Sequence, residues 1–335
     1  MDKTGLDYAK GRIGKLFRQI FFPTLLGMMF TALITIVDGI FVGKGVGPDG
    51  IAAVNIIAPL YMVSTGIGLM LGIGASVKAV LIFPCGMGVK GAAIATAGSI
   101  AVGGVMALVY FRFSYVLKLV ADMQDYCKNL SRVIAIGSSA FVTEIAMSVM
   151  MLTGNFVFMR YFGDAGVAAY SIACYLFPLM FMMSNAVAQS AQPIISYNKG
   201  IGAADRVEGA FLLSKRVALL CGTIVTVGIF TFSGNLISMF IPLASEAGEI
   251  ASKGLPIYSI CSIFFALNIA YIGYYQSIGK ALRAMVLTLL RGAIFLVPLF
   301  FILPSVFPSW GMWAAIPASE LLTYLVIVAT VKKNR

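Results

Sequence analysis

The chain contains no histidine. That absence removes imidazole proton relays and histidine–metal chemistry. Acidic residues are scarce as well, 13 against 24 lysines and arginines, and only 11% of the 335 residues are charged. Soluble domains carry about 25%. The five cysteines (Cys85, Cys127, Cys174, Cys221, Cys261) are scattered without paired spacing, which indicates neither a disulfide framework nor a metal site. There is no nucleophile–base pair, metal cluster or phosphate-binding glycine loop. The chain therefore does not read as an enzyme, and no cofactor is expected.

What fills the sequence instead is apolar: 60% of residues are hydrophobic and the mean hydropathy is +0.96. Lipid cannot satisfy exposed backbone, so apolar runs of this kind become helices, each needing about 20 residues to cross. The sequence predicts an all-α polytopic membrane protein with a lipid bilayer as its partner. Nine candidate spans appear, at about 16–42, 51–77, 89–111, 133–160, 166–192, 208–231, 255–279, 284–304 and 311–331. The first is too long for a signal peptide and lacks a cleavage site, so it reads as a retained span. Basic residues cluster before the first span (Lys10, Arg12, Lys15, Arg18), at 112–132, at 199–216, at 280–291 and at the end of the chain. Such clusters mark cytoplasmic connections, so the net charge of +11 reports topology and not nucleic-acid binding. Both termini then fall inside, which nine spans cannot achieve. The last six spans are self-consistent, so the parity error lies in the first half.

An internal repeat locates it. Gly47, Gly50, Ala52, Ala53 and Ile56 recur in order as Gly163, Gly166, Ala168, Ala169 and Ile172, at an offset of 116. Phe83-Pro84 followed by Ala92-Ala93-Ile94 is echoed by Phe307-Pro308 and Ala314-Ala315-Ile316, the Ala-Ala-Ile run at an offset of 222. The 106-residue difference is chain that the second half has and the first half lacks, enough for three spans with their loops. The expected organisation is a truncated first lobe over 1–112 with about three spans, a cytoplasmic linker over 113–131 and a six-helix lobe over 132–335. That makes a duplicated, inverted two-lobe bundle with about nine spans where a complete pair would have twelve. Repeated halves are common in secondary transporters, with sites at or within the repeats.

Four stretches carry a family resemblance. "FPTLLGMMFTALITIVDGIFVGKGVGPDGIAAVNIIAP" (22–59) is similar to the opening of multidrug and toxic compound extrusion (MATE) transporters. "AVAQSAQPIISYNKGIGAADR" (186–206), "GYYQSIGKA" (273–281) and "LRGAIFLVPLFFILPSVFPSWGMWAAIPASELL" (290–322) resemble their second-half signatures. The resemblance implies two six-helix lobes around a central cavity, in the multi-pass inner membrane of a bacterium, acting as a monomer. It implies export of amphipathic cationic small molecules in exchange for protons or sodium. Against that pattern the third, fourth and most of the fifth spans are absent at about residues 77–83. Two alternatives stand beside it: a related flippase for lipid-linked precursors, which would carry several basic residues facing the cavity, and a transport-incompetent membrane remnant.

A charge at mid-membrane costs about 2.5–3.5 kcal/mol on insertion scales, so polar residues inside spans carry the site hypotheses. Asp38 shares one stripe of the first span with Thr24, Thr31 and Thr35, a face expected to meet an interior cavity. It reads either as a carboxylate reaching interfacial water or as one that exchanges a proton. By resemblance, Asp38 matches the family's first-span Asp, Pro23 the proline at which that helix bends, and Thr96 a sixth-span Thr partner. The fifth-span partners fall in the missing stretch. Glu144, mid-span with Ser148 and Asn155 on the same face, is either a cation or proton site or a structural acid. By resemblance it matches a seventh-span Glu that holds a cation, with sodium as the only metal candidate. The family's tenth-span Asp is lacking, and Asn268, Tyr271 and Tyr275 are the polar residues available there. Asn185, Gln189 and Gln192, at i, i+4 and i+7, line a cavity or bond neighbouring helices. The 18 methionines offer adaptable walls or plain core filling. Arg291 and Glu320 are expected to pair or to snorkel.

Overall fold

The computed structural model describes residues 7–49, 52 and 123–333, with side chains described over 7–49, 52 and 145–331. The expected spans at 51–77 and 89–111 lie outside the described residues, and so does Thr96. All the elements described are helical. They are α1 (Ile13–Val46), α2 (Met123–Gly200), α3 (Ala204–Phe240), α4 (Glu246–Ser259), α5 (Cys261–Ser277), α6 (Ala281–Leu289), a π-helical turn (Leu290–Ile294), α7 (Leu296–Val306) and α8 (Gly311–Lys333).

At 1.5 Å per residue, the 34 residues of α1 span about 51 Å, longer than the ~30 Å hydrocarbon core. The helix runs continuously through Pro23. One side carries Phe21, Ala32, Gly39 and Gly43, and here Gly39 lies against the rings of Tyr175 and Phe240. The opposite side presents Phe22, Leu26 and Phe30, each about 60% exposed. An exposed apolar stripe of this size belongs against lipid or another helix, not water.

The 78 residues of α2 form two antiparallel arms. Gly163 takes φ 60° and ψ −150°, a conformation open essentially to glycine alone. There the chain doubles back: the Tyr170 hydroxyl donates to the carbonyl of Met150, 20 residues earlier, and its ring stacks on Phe158 at 4.7 Å. In a straight helix those positions would lie about 30 Å apart. Gly163→Ala is expected to destabilise the protein by about 1–3 kcal/mol, the cost of forcing a Cβ into that backbone region. Thermal unfolding in detergent checks this, and an unchanged midpoint would overturn the account of the turn.

Small residues then bring helices together, as lipid-embedded packing requires. Gly222 of α3 sits against the backbone of Ser262 and Ile263 in α5. Ser245 caps α4 by accepting from the Gly248 N–H at 3.1 Å. Helices α4 and α5 meet at a bend of 41°, three residues past Pro256. The Thr226 hydroxyl on α3 donates to the Ser259 carbonyl at this break, so the chain bends inside the membrane without a bare acceptor. Among the described residues, five helices are long and apolar enough to cross a membrane, and the bent α4–α5 pair makes a sixth. Each of the six apolar stretches expected between 133 and 331 overlaps one of these helices. The larger core joins α2, α4, α5, α7 and α8 around Phe158, Tyr170, Phe300 and Trp313. A smaller core packs Phe17 and Phe21 of α1 against Ala186, Ile194 and Ala218.

Candidate functional site

The strongest polar constellation in the described chain is built where α5, the π turn and α8 converge. The π turn carries Arg291, α8 carries Glu320 and α5 carries Asn268. Arg291 Nη2 donates to Glu320 Oε1 at 2.7 Å, and its Nε donates to Oε1 and Oε2 at 3.0 and 3.2 Å. Asn268 Nδ2 donates to Glu320 Oε2 at 2.7 Å and to the Glu320 carbonyl at 2.9 Å. The guanidinium lies 4.1 Å over the Phe265 ring, and the Ser319 hydroxyl donates to the Arg291 carbonyl at 2.7 Å. Glu320 is 3% exposed and Asn268 fully buried. A π turn shifts the helical register locally, and turns of this kind recur at functional sites. Here the turn also brings Gly292 onto Ala146 of α2. A pocket of about 20 Å³ beside the pair is lined by Thr288, Arg291, Glu320, Met147 and Met150.

The structure thus pairs Arg291 with Glu320 directly and adds Asn268, which the sequence placed among the cavity residues. Glu144 lies on the first arm of α2, three residues before Met147, and its side chain is outside the described residues. Ser148 and Asn155 on the same arm are both buried. Asp38, Thr24, Thr31 and Thr35 are each half-buried along α1; the Thr31 and Thr35 hydroxyls donate to the carbonyls of Gly27 and Thr31. Asn185 donates to the Phe181 carbonyl, Gln189 is exposed, and Gln192 donates to Gln276 Oε1 at 3.3 Å. Those three therefore lie on the open side of the second arm of α2. Tyr271 meets Phe211 edge-on at 5.0 Å, with Lys215 Nζ 5.6 Å over its ring, and Arg283 lies over Tyr275. The described residues do not gather the sequence's candidates into one site.

One contact had no sequence signal beyond a topogenic charge. Arg206, at the start of α3, donates from Nη2 to the carbonyls of Tyr8 and Gly11 at 3.0 and 2.7 Å, and from Nε to Asn198 Oδ1 at 2.9 Å. Asn198 itself donates to the Tyr8 carbonyl, and the Tyr8 and Tyr197 rings lie 5.7 Å apart. Residues 7–11 are thereby strapped across the ends of α2 and α3. Hydrogen bonds to charged groups are worth about 1.5–3 kcal/mol each. Arg206→Ala is therefore expected to release the strap and raise tryptic cleavage at Lys10 and Arg12 at least about tenfold. Arg206→Lys should rescue poorly, lacking the planar fork. Unchanged cleavage in both variants would show that the strap is held by other contacts.

Comparisons with known proteins agree with this architecture. Residues 139–302 match the MatE family model. Multidrug export protein MepA of Staphylococcus aureus (strain MSSA476) is 26% identical over 267 residues, covering 76% of this chain and 57% of MepA. MepA of Staphylococcus haemolyticus (strain JCSC1435) is 24% identical over 271 residues, covering 78% and 58%. The chain thus spans under three-fifths of the length of these curated relatives. Among solved structures, the MATE multidrug transporter DinF-BH superposes with a TM-score of 0.74 at 23% identity, covering 98% of this chain and 96% of DinF-BH. A multidrug resistance MATE family transporter fits about equally in its outward-facing and inward-facing conformations, with TM-scores of 0.63 and 0.64. The outward-facing match, at 17% identity, covers 95% of this chain and 87% of that one; the inward-facing match, at 16%, covers 90% and 87%. Over residues 139–302 the sequence is thus similar to the MatE family, and the helical fold is the one that solved MATE transporters adopt.

Proposed function

We propose that the chain descends from exporters of amphipathic organic cations that exchange substrate for protons or sodium, in the cytoplasmic membrane of a bacterium and as a monomer. The observation that carries this reading is the MatE match over 139–302, joined to MepA relatives that are named for multidrug export. The division into a truncated lobe over 1–112, a linker over 113–131 and a six-helix lobe over 132–335 belongs to the same reading. Asp38 and Glu144 are its coupling carboxylates, with Thr96 the partner that the family resemblance assigns to the first, and Asn155, Asn185, Gln189 and Gln192 contribute cavity walls. Export of a fluorescent organic cation from proteoliposomes, driven in turn by a proton and a sodium gradient, tests it. Glu144→Gln is expected to abolish gradient-driven exchange while leaving the folded yield intact. Undiminished exchange in that variant removes Glu144 from the coupling step.

A second reading, a membrane remnant that transports nothing, is favoured by the shortfall against the curated relatives and by the 106-residue gap between repeat offsets. The two readings separate on whether any gradient drives export by the chain as it stands.

A further inference from the structure

A carboxylate buried in an apolar bundle needs a counter-charge, and the identity of that counter-charge defines what the site binds. We infer that Glu320, with Asn268 and Thr288 beside it, forms a monovalent-cation site whose cation is carried by the chain itself, as the guanidinium of Arg291.

Three observations support the inference. The carboxylate is gripped on one side by the Arg291 fork and on the other by the Asn268 amide, so both oxygens are engaged. The adjoining pocket of about 20 Å³ has room for one water-sized occupant; Thr288, Arg291 and Glu320 supply its polar side, and apolar side chains such as Met147 and Met150 close the rest. Spare oxygens are present too. Asn268 Oδ1 is buried with no donor among the described residues, and Thr288 spends its proton on the Ala284 carbonyl, leaving lone pairs free. Carboxylate, amide and hydroxyl oxygens are the ligands that hard cations prefer. Arginine cannot give up its proton in a protein, so the tethered charge is permanent and the site stays filled. Glu320 thus needs no inorganic ion as its counter-charge. Taking away Arg291 alone should turn the same oxygens into a sodium site.

This inference does not draw on the transport reading, and its test is read on the folding of the purified full chain in detergent. Thermal unfolding is measured in sodium chloride and in N-methylglucamine chloride at equal ionic strength, for wild type, Arg291→Gln and the double variant Arg291→Gln/Glu320→Gln. Sodium should raise the midpoint of Arg291→Gln by a few degrees beyond any shift in wild type, saturably. The excess should vanish in the double variant, which has no carboxylate to fill. Arg291→Lys keeps a tethered charge and should respond to sodium as wild type does. If Arg291→Gln folds only when purified in sodium, the inference is supported. If it folds in neither salt, Arg291→Lys decides: a sodium response beyond that of wild type overturns the inference, and a wild-type response upholds it. A sodium response in Arg291→Gln equal to that of wild type overturns it. So does a wild-type response that the double variant loses, since sodium would then already occupy the site beside Arg291.

Discussion

Gly254→Val is expected to leave no folded chain in the membrane, while Gly228→Ala, on a helix of the same bundle, is expected to be silent. Gly254 on α4 lies flat against the Trp313 indole of α8, and any Cβ at this position would overlap the ring. The indole has no room to retreat. It is 2% exposed, edge-on to Phe158 at 4.8 Å, and Phe158 is stacked in turn on Tyr170. Tyr170 meets Phe300 edge-on and is tied through its hydroxyl to the Met150 carbonyl. Overpacking a close-packed core usually costs about 1–3 kcal/mol, and a branched side chain set into a wedged indole exceeds that range. Whole-domain stabilities are only about 5–15 kcal/mol. Gly254→Ala should therefore fold with a lowered midpoint, and Gly254→Val should not fold. A Cβ on Gly228 meets nothing within 4 Å. Detergent-solubilised yield on size exclusion, together with the unfolding midpoint, reads all three variants. Pairing Gly254→Ala with Trp313→Phe should recover part of the loss. Wild-type yield from Gly254→Val would show that α4 and α8 do not approach this closely.

The second large effect concerns export. Inserting about 106 residues from a full-length relative, comprising its third to fifth spans, near position 77 is expected to raise a low level of substrate export severalfold, toward the relative's own rate. The physical ground is the state of α1. Its polar stripe from Thr24 to Asp38 is half-buried, and Phe22, Leu26 and Phe30 on its outer side are about 60% exposed. Contacts described for α1 come from α2 and α3 of the second half, at Tyr175 and Phe240 and around Phe17 and Phe21. A complete first lobe would bury more of this helix and supply the partners that the family resemblance assigns to Asp38. The comparison is export by the two chains at equal membrane expression. Equal, robust export by both would show that the inserted helices are dispensable.

The sequence showed much of the helix plan, because hydropathy reports directly which stretches can sit in lipid. Helix ends were less legible: α3 was expected over 208–231 and runs from Ala204 to Phe240, since polar flanking turns continue an established helix at little cost. The reversal at Gly163 was visible because a glycine broke an apolar pattern that resumed three residues later. The break after Ser259 and the π turn at Leu290–Ile294 were invisible, since both lie within uninterrupted apolar runs where a change of register leaves composition untouched. The pairing of Arg291 with Glu320 was one of two anticipated outcomes. That Asn268 completes it depends on how α5 and α8 cross, and single-helix periodicity carries no record of a crossing. The strap was hidden for a related reason: Arg206 donates to backbone carbonyls, which every residue possesses.

The strap has a consequence for synthesis. Its acceptors at Tyr8 and Gly11 precede the Arg206 donor by 198 and 195 residues. At roughly 5–20 residues per second, the ribosome makes that intervening chain in about 10–40 s. For that interval α1 has neither its clamp nor the α3 surface against which Phe17 and Phe21 pack. Among the described helices, the earliest made thus waits for a partner synthesised much later. During the wait its exposed Phe22, Leu26 and Phe30 are open to the translocon wall, to chaperones or to a neighbouring nascent chain. Slowing elongation before codon 206 should lengthen that window and increase degradation, and a released strap should make the chain more sensitive still.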